Sequence, residues 1–150
     1  MTAAPNAEVR EQSTSQPPER VRYFIPLRGE RPPFQLVAAF LWGRRWDYDS
    51  DGDSETPDST AWTELTLVNR KPPYERVDVD PADEMPSEVA VTSRDPATAA
   101  RVAYFLAAAT GSGVRAGRDE KLRPADSLLE VLGDDFDLTA ATHRVALATS

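Results

Sequence analysis

Between residues 20 and 27 the chain alternates: Val21, Tyr23, Ile25 and Leu27 fall on one side, Arg22 and Phe24 on the other. A period of two predicts a strand, and Pro26 suits a sheet edge because it cannot donate to a neighbour. Residues 28–33, with Gly29 and two prolines, read as a turn. Residues 62–69 predict a second strand, with Thr63, Leu65 and Leu67 on one side. After a proline turn at 71–74, residues 76–80 set Val77 and Val79 against Arg76, Asp78 and Asp80, a half-exposed strand with an acidic outer side. A polar, proline-bounded loop follows at 81–87, then a short apolar strand at 89–91.

The period then changes. Ala99, Val102, Phe105, Leu106 and Ala109 recur at helical spacing. Asp95 stands at the N-cap position, Pro96 at the first helical position, and Gly111 and Gly113 supply a stop. This predicts a helix over about 96–110 that buries one side, and it is the unit around which the chain is organised. Beyond it, residues 114–116 suggest a short strand. Pro124 opens a helix ending at Leu132, with Leu128, Leu129 and Leu132 apolar and Gly133 as its stop. Asp134, Asp135 and Asp137 form an acidic turn, and residues 139–148 a weaker helix carrying Ala141, Val145 and Ala148.

Residues 34–42 are apolar nearly throughout, so periodicity does not separate strand from helix. Pairing with the 62–68 strand favours a strand there; the alanines favour a helix, with Phe34, Val37, Ala38 and Leu41 on its apolar side. The pairing argument tips the reading to a strand, and the pattern itself leaves strand and helix both open. Strands followed by helices point to an α+β fold: a mostly antiparallel sheet, the 96–110 helix on one side, and one or two C-terminal helices. Residues 1–19 are polar and carry almost no apolar content, which predicts a disordered tail before a single domain at 20–150.

Composition narrows the chemistry. The 150 residues fit one core, and the thirteen prolines imply irregular connections. There is no cysteine, hence no thiolate nucleophile and no disulfide, which suits the cytoplasm. No signal-peptide pattern opens the chain and no apolar run reaches the length of a membrane span. A net charge of −8 argues against binding nucleic acid through its phosphates. His143 is the only histidine and has no serine or cysteine motif around it. Gly111, Gly113 and Gly117 lack the spacing and the preceding strand of a dinucleotide loop.

The most unusual stretch is 46–60, where Asp47, Asp49, Asp51, Asp53, Glu55 and Asp58 occur with no basic residue. Counting Asp47 as the first position of a calcium loop, oxygens fall on Asp49, Asp51, Glu55 and Asp58, with Gly52 at the sharp turn. The closing residue is Asp where a bidentate Glu is usual, and Pro57 precedes it. Trp42, Trp46, Tyr48 and Trp62 flank the acids, and aromatics beside carboxylates also suit an interface.

The leading expectation is a non-enzymatic, acidic protein-binding domain with no cofactor, of the kind an immunity or antitoxin protein uses to cover a basic toxin. Trp46, Tyr48, Asp49, Asp51, Asp53, Glu55, Asp78 and Asp80 are its candidate contacts. One alternative is a calcium module built on Asp47, Asp49, Asp51, Glu55 and Asp58. Another is an enzyme using carboxylates, which needs two acids in one pocket.

Overall fold

The computed structural model describes residues 21–149 apart from 28, 29, 44, 45, 54, 55, 57, 73, 83, 84, 118 and 119. The tail expected at 1–19 and the candidate contact Glu55 lie outside the described residues. In chain order the elements are β1 (Val21–Pro26), α1 (Phe34–Leu41), β2 (Tyr48–Gly52), β3 (Leu65–Asn69), β4 (Arg76–Ala82) and β5 (Met85–Ser93). There follow α2 (Pro96–Thr110), β6 (Gly113–Val114), β7 (Arg123–Pro124), a 3-10 helix over Ala125–Val131 and α3 (Leu138–Thr149).

The fold is α+β. Five strands form an antiparallel sheet in the order β1-β5-β4-β3-β2, and β6 pairs with β7 in a small ribbon. The inner side of the sheet carries Ile25, Val89, Val91, Val77, Val79, Leu65 and Leu67, all buried. Helix α2 lies across β1, β5 and β4; α1 packs on α2, and α3 packs on α1. Asp95 caps α2 by accepting the Ala97 N–H at 3.2 Å, and Gly111 closes it with a left-handed φ of 68°. Thr98, Ala99, Ala100, Val102, Ala103, Phe105, Leu106 and Ala107 are buried along α2, whereas Ala109 is exposed. The run of alanines lets the helix approach the sheet closely.

Residues 34–41 form a helix, not the strand expected. The apolar run is buried nearly all round: Phe34, Val37, Ala38, Ala39, Phe40 and Leu41. Phe40 is enclosed by aromatic rings, 5.0 Å from Phe105, 5.4 Å from Phe136 and 6.1 Å from Tyr104 between centroids. The last carbonyls of a helix lack partners within it. Here Arg144 of α3 supplies them, with Nε on the Ala39 carbonyl at 2.8 Å and Nη2 on that of Phe40 at 2.6 Å. The strand position beside β3 belongs instead to β2.

Further boundaries differ. The loop expected at 81–87 is mostly sheet, because β4 runs to Ala82 and β5 starts at Met85, with a register shift at Pro81 and Ala82. Trp62 and Thr63 precede β3; Trp62 is buried and gives its indole N–H to the Pro32 carbonyl at 2.8 Å. The segment after Pro124 is a 3-10 helix, with Leu128 buried and Leu129 exposed. Helix α3 buries Ala141.

Candidate interaction surface

Partners across an antiparallel ladder share a side of the sheet. The register therefore defines an outer row running Arg22, Thr92, Asp78, Thr66, Asp51. Beside it, Asp49 lies opposite Val68 and Val68 opposite Arg76; Asp80 lies opposite Ala90 and Ala90 opposite Phe24. Asp49, Asp51, Asp78 and Asp80 thus share the side away from α2, over strands β2 and β4. The Thr66 hydroxyl donates to Asp78 Oδ1 at 2.6 Å, which ties the row together between them.

The four acids differ in their local surroundings. Arg70 hydrogen-bonds Asp49 and also reaches Asp47 at 3.3 Å; its bond and charge hold the Asp49 carboxyl below the usual range. Asp78 has Arg76 at 3.3 Å. Partial burial, then the negative charge of Asp78, push Asp80 above the usual range, against a smaller pull from Arg22. The Asp51 carboxylate accepts the N–H of Gly52 at 2.9 Å.

The remaining expected contacts lie elsewhere. Tyr48 faces the inner side, its ring 5.9 Å from that of Trp42. Trp46 sits beyond the end of β2, where its indole N–H bonds Asn69 at 2.8 Å and Lys71 lies over its ring at 4.8 Å. Asp53 ends the β2–β3 hairpin: it accepts the Thr63 N–H at 2.8 Å, the Glu64 N–H at 3.1 Å and the Thr63 hydroxyl. Partial burial alone would raise its pKa, but these bonds outweigh it and hold the carboxyl low. Of the calcium set, Asp49 and Asp51 lie on an extended strand, Asp47 faces Arg70, and Asp58 accepts the Thr56 hydroxyl at 2.6 Å. No group of three or more His, Asp or Glu arranged to hold a metal ion occurs among the described residues.

A second polar centre carries no signal in the sequence. Glu75 accepts the Trp42 indole N–H at 2.9 Å and the Asn69 amide at 3.3 Å through Oε1. Its Oε2 takes the Thr98 hydroxyl at 3.3 Å and faces Arg101 at 3.8 Å. Arg101 in turn donates to the Leu132 carbonyl at 2.7 Å and lies 4.5 Å from the centre of the Phe136 ring. Glu75 lines two clefts. One, of about 580 Å³, is lined by Tyr74, Arg76, Asp78, Ser93, Arg94 and Asp95; the other holds Trp42, Trp46 and Arg101. Tyr74 is exposed at the first cleft and holds a left-handed φ of 58°, a cost for any residue but glycine. A lone glutamate after a proline turn has no periodicity to mark it.

No protein-family model matches the sequence, and comparisons with curated proteins and with solved structures return no match either. Among the described residues no helix is long and apolar enough to cross a membrane.

Proposed function

We propose that this chain is a non-enzymatic binding domain that acts in the cytoplasm and docks a basic partner protein on the outer side of its sheet. An immunity or antitoxin protein covering a cationic toxin site is the most concrete form of this reading. The observation that carries it is the alignment of Asp49, Asp51, Asp78 and Asp80 on one side of the sheet. Edge strands often carry charge to discourage aggregation, which accounts for Asp49 and Asp51 on β2. It does not account for Asp78 and Asp80, which lie on β4, an interior strand. Their mutual repulsion works against folding, and such a cost is more often retained where the charge meets a partner.

The test is capture from a host extract, followed by isolation of the captured protein and direct titration against wild type and the Asp49→Asn, Asp51→Asn, Asp78→Asn, Asp80→Asn variant. A basic partner whose affinity falls at least tenfold in the variant, and falls with added salt, supports the reading. A partner bound equally by both chains overturns it.

A further inference from the structure

The two edges of the sheet are finished differently. On β1, Phe24 exchanges two backbone hydrogen bonds with Arg115, both 2.9 Å, and Ser112 donates its hydroxyl to the Pro26 carbonyl at 2.8 Å. That edge is covered. On β2 the Arg70 N–H bonds the Asp47 carbonyl at 3.2 Å, across the register that pairs Tyr48 with Asn69. Bonding alternates along an antiparallel ladder. The backbone groups of Asp49 and Asp51 therefore point to β3, and those of Tyr48 and Ser50 point outward. Among the described residues none bonds these outward groups.

We propose that β2 is a docking edge, and that the basic partner adds an extended segment to it as a sixth strand, with Lys or Arg at alternate positions. This rests on the reading of the acidic side as a binding surface, and it specifies how the partner is held. In such a pairing the partner residues opposite Tyr48 and Ser50 exchange backbone bonds with them. The residues between, opposite Asp49 and Asp51, lie on the outer side. Cations there meet both aspartates and extend toward Asp78. A second copy of this chain is the wrong occupant. Only even-numbered residues of β2 offer outward backbone groups, so any antiparallel self-pairing sets odd residues against odd. Positions 47, 49, 51 and 53 are all aspartate, and like charges directly opposite are destabilising.

Two synthetic peptides test this, both blocked at their ends: an alternating threonine–lysine heptapeptide, and the same peptide with its threonines N-methylated. Charge and composition of the side chains are equal, but the second cannot donate to Tyr48 and Ser50. Each is titrated into the intact chain with amide exchange followed by NMR. Strand addition predicts about tenfold or more tighter binding of the first peptide, from the backbone bonds alone, and slowed exchange at Tyr48 and Ser50. Equal binding of the two, weakened by Asp49→Asn with Asp51→Asn, overturns strand addition and leaves the acidic surface standing. Binding of neither overturns strand addition. Dimerisation of the free chain through β2 overturns the choice of occupant.

Discussion

Trp42 and Glu75 meet across 33 positions of sequence, the indole N–H 2.9 Å from Oε1 of the carboxylate. This bond joins the end of α1 to the turn before β4. The same carboxylate faces Arg101 of α2, and both charged side chains are only 13% exposed. Glu75 thus links three elements that the hydrophobic core alone would leave free to slide.

Glu75→Ala removes the acceptor of Trp42 and Asn69 and one of the two carboxylates beside Arg101, which keeps Asp135 at 3.5 Å. The expected cost is roughly 2 to 3 kcal/mol, the range for two part-buried donors left without their acceptor. Glu75→Gln keeps an acceptor for the indole and loses only the charge, so its cost is expected near half of that. Urea unfolding followed by tryptophan fluorescence measures both. A wild-type midpoint for Glu75→Gln would mean that the charge contributes nothing, and equal midpoints for the two variants that the retained acceptor contributes nothing.

Arg144 makes a sharper claim, because it explains a helix that local pattern does not predict. Its guanidinium takes the carbonyls of Ala39 and Phe40, and burial there pulls its pKa below the usual arginine value. Arg144→Met keeps the aliphatic stem and deletes the two bonds. A loss of about 1 to 3 kcal/mol is expected, with fraying of α1 visible as faster amide exchange at its C-terminal end. Unchanged exchange there would show that α1 holds without its cap.

The contrast between α1 and α2 explains what local sequence can reveal. Every signal for α2 is local: Asp95, Pro96, the apolar stripe and Gly111 lie within one segment, and all but Ala109 at the end of the stripe take the roles their chemistry predicts. The signals for α1 are remote. Its cap comes from 105 positions away, and an apolar run buried on nearly all sides has no polar side to reveal its period. The conformation of the acidic stretch also depends on a remote segment. Asp47 to Gly52 resembles a calcium loop when counted, but Leu65–Asn69 offers it an open edge, and pairing there extends it. Asp78 and Asp80 were legible as an outward acidic side from alternation alone. That Asp49 and Asp51 lie on the same side depends on a strand pairing that no short window contains. Glu75 was not legible, since its partners come from three separate segments: the end of α1, β3 and α2.

Glycine at position 52 follows from that pairing. Its φ is 149°, and a Cβ there would run into the Glu64 carbonyl oxygen and lie 3.2 Å from the Leu65 Cα. Gly111 also has positive φ, 68°, but nothing lies within 4 Å of its missing Cβ. Gly111→Ala therefore bears backbone strain alone, about 1 kcal/mol. Gly52→Ala adds a collision with backbone that cannot move without opening the hairpin, and should cost roughly 2 to 4 kcal/mol. Thermal unfolding of the two variants compares them directly; equal losses would exclude the close approach of β2 to Glu64.

Asp49 and Asp80 share the outer side of the sheet, yet they should respond to pH with opposite sign. Asp80 has a folded pKa raised above the ordinary 3.8 by partial burial and by Asp78. Between 3.8 and that raised value the folded state holds more protons than the unfolded, so stability falls as pH rises through this window. Above it the ionised Asp80 is a standing cost. Asp80→Asn should raise the melting temperature at pH 7, and the gain should shrink on acidification and vanish below 3.8. Asp49 has a folded pKa lowered by the Arg70 hydrogen bond. Its contribution is present in full above 3.8 and is lost as pH falls through the lowered value, so Asp49→Asn should lower the melting temperature at pH 7 and not at strongly acid pH. Melting curves from pH 2 to 8 for both variants decide the matter. Because the Asp49 pair is exposed, its effect should also weaken in high salt, whereas the part of the Asp80 effect that comes from burial should persist. A shift of the same sign in both variants would mean that the two acids do not sit in the distinct environments described, and with that the electrostatic argument for the surface would fail.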